Sequence, residues 1–96
     1  MAVKLDMDAL EAASGQVKSI SGSFSAELSA LGALVQSSKE YWDDPAQASF
    51  EAKFQEFKVS MTNFIQALEN YSVAMKTYAD QQRQTLESGS KMFDSI

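Results

Sequence analysis

The sequence predicts an all-α protein, a helix-turn-helix hairpin that dimerises into an antiparallel four-helix bundle. Three observations predict it. Large apolar residues recur at steps of three and four along two long segments. The chain's one proline falls in the short interruption between those segments. The apolar stripe of the second segment is also heavier than one partner helix can cover.

The first segment carries Leu10, Val17, Ile20, Phe24, Leu28, Leu31 and Val35, with Ala13 on the same side. At helical spacing these positions fall within a stripe about 80° wide. Asp6 or Asp8 can cap its start, and Asp8 with Glu11 has capping-box spacing. The step of four from Phe24 to Leu28 follows another step of four, a stutter that relaxes any supercoil locally.

The second segment is more regular. Phe50, Phe54, Phe57, Met61, Phe64, Leu68, Tyr71, Met75 and Tyr78 alternate steps of four and three without a break. That is a sustained heptad pattern of apolar positions. Asp44 stands as N-cap, Pro45 at the first helical position and Gln47 at the third. Gly89 is a natural stop. The single domain spanning 1–96 therefore reads as helix over about 8–40, bend at about 41–44, helix over about 45–87 and a tail at 88–96. With so short a connection the helices are antiparallel neighbours. Placed in the middle of the seam, Phe57 and Phe64 are each expected to cost about 3–5 kcal/mol on truncation to Ala.

Composition removes whole classes of function. There is no His and no Cys among 96 residues. The usual general base and imidazole ligand are missing, as are disulfides and thiolate metal sites. Asp43 and Asp44 are adjacent carboxylates, but they read as a helix start rather than a metal or acid–base site. No cofactor, metal or catalytic residue is expected. Thirteen Asp and Glu against eight Lys and Arg give a net charge of −5, the wrong sign for nucleic acid. The first residues hold no apolar core of a signal peptide, and no window is long enough to span a membrane. The expectation is a soluble chain made in the cytoplasm; export would not use a conventional signal peptide.

Two faces call for partners. The large apolar residues of both segments form the expected core of a bundle. On the first segment, Ala12, Gly15, Ser19, Gly22, Ala26, Ser29 and Ala33 form a second face of small residues. Gly inside a helix costs about 0.5–1 kcal/mol relative to Ala, which a packing gain would offset. That face is either solvated or a close-approach surface for another helix.

The bend reads Tyr41-Trp42-Asp43-Asp44-Pro45-Ala46. Trp42 continues the stripe of the first helix and would cover the end of the bundle; a docking role toward a partner is compatible with that packing. With Ala46, Phe50 and Phe54 following, the chain resembles the WXG-type, ESAT-like small proteins of bacterial type VII secretion systems. The resemblance covers nearly the whole chain, with two departures. The Gly expected two residues after the Trp is Asp44. The family's C-terminal Tyr-x-x-x-Asp/Glu signal is also missing, since Tyr78 is followed four later by Gln82 and Tyr71 by Met75.

The resemblance implies a non-enzymatic secreted substrate, a dimeric effector or co-secretion factor recognised by the system's membrane ATPase. Its partner is a second copy or a related hairpin. Trp42 and Asp44 at the bend, with Met92, Phe93 and Ile96 in the tail, are the candidate recognition residues. The alternatives are a dedicated chaperone or targeting partner for a larger type VII toxin, or a membrane-active virulence protein.

Overall fold

The computed structural model describes residues 5–82. α1 runs Met7–Ser37, a single 3-10 turn follows over Ser38–Glu40, and α2 runs Pro45–Gln82. The two helices lie antiparallel in a rod of 64 × 21 × 17 Å. No strand occurs among the described residues. The expected end of the second helix near 87, the Gly89 stop and the tail with Met92, Phe93 and Ile96 lie outside them.

Each helix start has a chemical cause. Of the two expected caps, Asp6 is the N-cap of α1, its Oδ1 accepting from Ala9 N at 3.0 Å; Asp8 sits inside the first turn, two residues later, so the expected box on Asp8 and Glu11 does not start the helix. Asp44 starts α2: its Oδ1 accepts from Ala46 N at 2.8 Å and Gln47 N at 3.2 Å. Pro45 follows at the first helical position, where its missing N–H has no partner to lose. α1 stops three residues short of the expected 40. Ser38 Oγ donates to Val35 O at 2.6 Å, and the tighter 3-10 turn takes over from there.

Within one hairpin, the stripe that the sequence assigns to the core of a whole bundle is divided. The four-three stripe of α2 separates into two heptad lines. Phe54, Met61, Leu68 and Met75 turn inward and are buried or half-buried; Phe50, Phe57, Phe64 and Tyr71 face outward and are exposed. Two cylinders touch along one line only, so alternate members of a broad stripe fall on either side of the contact. Ile65 and Ala79, outside the four-three stripe, are buried at the centre of the seam.

α1 meets this inner line with small and polar groups. Ser14, Ser21 and Val35 are buried, and the Phe54 ring lies against Gly32, 3.6 Å from where a Cβ would stand. Ser14 Oγ donates to Glu11 O at 2.6 Å within α1, and two other serines bond across the seam. Ser72 Oγ donates to Ser14 O at 2.8 Å, and Ser21 Oγ to Ile65 O at 3.4 Å. Two ion pairs add ties, Lys39 to Glu51 beside the bend and Lys76 to Glu11 at the open end. Among the described residues, the buried apolar core is Val35, Phe54, Ile65 and Ala79. That is little interior for so long a rod.

Candidate functional site

The outward line of α2 joins the outward side of α1 into one apolar face. Phe24 of α1 meets Phe64 of α2 edge to face, ring centroids 5.5 Å apart at 88°. Beside this pair Leu31, Phe57 and Met61 line a shallow groove of ≈ 190 Å³. Ile20 and Leu34 extend the face along α1, Phe50 and Tyr71 along α2. Phe57 is 47% exposed and Phe64 46%, against 7% for Phe54. Contiguous exposed aromatics of this kind mark an interaction surface, whereas isolated apolar residues such as Val59 and Val73 need no explanation.

The bend is a second, compact feature. Trp42 lies outside both helices, half-buried, its indole stacked on Phe50 with centroids 5.4 Å apart at 30°. This carries the aromatic face to the tip of the rod. Trp42 Nε1 donates to Asp44 Oδ1 at 2.9 Å, the same oxygen that caps α2. Gln47 does not close a capping box as its position suggests. It is buried and crosses the bend, Nε2 donating to Ser38 Oγ at 3.3 Å. Tyr41 projects from the tip and is 77% exposed.

On the opposite flank of the seam lies the small-residue side of α1. There Lys18, Gly22, Glu69, Val73 and Thr77 line an open groove of ≈ 570 Å³. A Cβ on Gly15 or Gly22 would meet nothing within 4 Å. Within the hairpin, therefore, no packing gain offsets their helical cost, and the face stays open to solvent or to another helix. Chemically, both flanks are suited to binding. Among the described residues no group of three or more His, Cys, Asp or Glu could hold a metal ion, and no helix is long and apolar enough to cross a membrane.

The family model for WXG100, proteins of 100 residues with WXG, matches residues 2–88. The chain belongs to the WXG100 family. Members are small, non-enzymatic helical proteins secreted without a signal peptide. Two similar solved structures are of the secreted protein EsxB from Bacillus anthracis strain Sterne. A single-residue variant of it is 28% identical, with a TM-score of 0.79, over 88% of this chain and 97% of that one. The wild-type protein is 27% identical, with a TM-score of 0.78 and the same coverage. No curated protein matches the chain. Against the signature that names WXG100, this member keeps Trp42 and carries Asp44 at the Gly position.

The serines of the WXG100 seam escaped the sequence reading because it followed large residues. A signal was present: Ser14, Ser21, Leu28 and Val35 recur every seven residues, which marks them as one line on the helix.

Proposed function

We propose that this WXG100 protein is a non-enzymatic substrate of a bacterial type VII secretion system and leaves the cell as a dimer of hairpins. The observation that carries the dimer is the outward aromatic line, from Trp42 and Phe50 at the tip through Phe57 and Phe64 to Tyr71. A second copy, laid antiparallel, covers this line with the same line and completes a four-helix bundle. Family membership supports the secretory role, and the likeness to secreted EsxB agrees with it. The bend, with Trp42, is the surface offered to the secretion ATPase; the tail residues Met92, Phe93 and Ile96 are the other candidate. The test compares secreted with cytoplasmic protein in strains with and without the system's ATPase. Export that depends on the ATPase supports the reading, and export unchanged by its loss contradicts it.

A second reading has one observation in its favour. The groove beside Gly22 lies on the flank that the aromatic face does not use. A dimer so formed still presents it, and a helix of a larger co-secreted toxin fits there. Co-expression with the helical N-terminal region of such a toxin, followed by size exclusion, distinguishes a carrier from a substrate exported alone.

A further inference from the structure

Trp has one hydrogen-bonding group, the indole N–H, and it only donates. In this chain that donor is held internally, at 2.9 Å from Asp44 Oδ1. The acceptor is a carboxylate, which makes the bond charge-assisted and stronger than a neutral one. One face of the ring is stacked on Phe50. A stacking contact leaves the ring free to slide or turn in its plane; adding a directed bond at its edge leaves one orientation. The same oxygen also takes the N–H groups of Ala46 and Gln47, so it is itself fixed by the first turn of α2. Gly at this position has no side chain and could do neither.

We propose that Asp44 is a positioning residue for Trp42. By committing the indole N–H inside the chain, it presents the ring as a pre-oriented apolar plate at the tip of the rod. The matching pocket on a partner is then apolar or aromatic, and it needs no acceptor for the indole. Orienting the ring before contact removes part of the ordering cost of binding. The inference rests on the reading of the bend as the recognition surface, and it adds what the departure from Gly does there.

The test must separate positioning from capping, because Asp44 does both. Ser caps a helix as well as Asp but is too short to hold the indole, and Asn can do both. Trp42 is the chain's one Trp, so fluorescence reads it alone. The variants Asp44→Ser, Asp44→Asn and Trp42→Ala are compared with the parent, with circular dichroism confirming the helical fold. Asp44→Ser is expected to lower the fluorescence anisotropy of Trp42, raise its quenching by acrylamide and reduce the exported fraction. Asp44→Asn is expected to restore all three. Unchanged anisotropy and quenching in folded Asp44→Ser overturns the positioning role, whatever export does. If the ring is freed but Asp44→Ser is exported like the parent, positioning does not serve recognition and the inference falls. Trp42→Ala then locates the failure: loss of its export leaves the bend as the recognition surface, whereas normal export removes that reading as well.

Discussion

Phe54 and Phe57 are one helical turn apart and meet different fates. Phe54 is packed against Gly32 within the hairpin, while Phe57 is half exposed beside Leu31. Phe54→Ala is therefore expected to cost about 3–5 kcal/mol in any state that contains the hairpin. Phe57→Ala and Phe64→Ala lose less within the hairpin, where Phe64 meets Phe24 and Phe57 lies beside Leu31, and in the proposed dimer act chiefly through the contact between hairpins. Their effect grows or shrinks with protein concentration, because association adds stability by mass action. Urea denaturation at two concentrations a hundredfold apart checks this. A concentration-independent loss for Phe57→Ala as large as that for Phe54→Ala would restore the single-seam register expected from the sequence. Near the open end, Lys76 donates to Asp80 at 3.1 Å and lies 3.5 Å from Glu11. The hydrogen bond to Asp80, then the charges of Asp80 and Glu11, hold its ammonium above the ordinary lysine value. A raised value in the folded state stabilises fully below the unfolded lysine value, about 10.4, and that contribution is lost as pH rises through the folded value. Exposure and salt keep it small. Thermal melts from neutral to strongly alkaline pH should fall slightly more steeply for the parent than for Lys76→Met; parallel curves would show that the pair contributes nothing.

The helices themselves were legible because their signals are local. Asp44, Pro45 and the four-three spacing that follows define the start of α2 whatever packs against it. The line each helix turns toward the other was not legible in the same way. An 80°-wide stripe accommodates two contact directions about equally, and periodicity alone does not say which heptad line faces the partner helix and which faces a second molecule. The choice rests on Ser14, Ser21 and Gly32, whose small size lets α1 approach α2 closely and which, polar or without a side chain, carry no hydrophobic signal. At the bend, the Trp42–Asp44 bond could not be read from residue types, since Asp44 already had a sufficient role as a cap. The small-residue flank gives a prediction at this scale. Gly22→Ala fills open space in the hairpin and is expected to stabilise by about 0.5–1 kcal/mol through helix propensity alone. Chemical denaturation of the purified protein reads it. A loss of stability would mean that another helix lies against Gly22 in the assembled molecule.

At the scale of the whole molecule, the rod has two sides with different provisions. Its inner seam is narrow, with a short set of buried apolar residues and serines bonded to backbone carbonyls. Its outer face carries most of the aromatic rings of α2. Among the described residues, the hairpin thus leaves most of these rings uncovered, and the proposed dimer is the assembly that would cover them. Sedimentation equilibrium of the purified chain at micromolar concentration tests this most directly. The account predicts twice the chain mass for the parent, and a shift toward the chain mass for a Phe57→Ala, Phe64→Ala double variant that keeps its helical circular dichroism. A parent that sediments at the mass of one chain, well dispersed and without binding an apolar-surface dye, would contradict it.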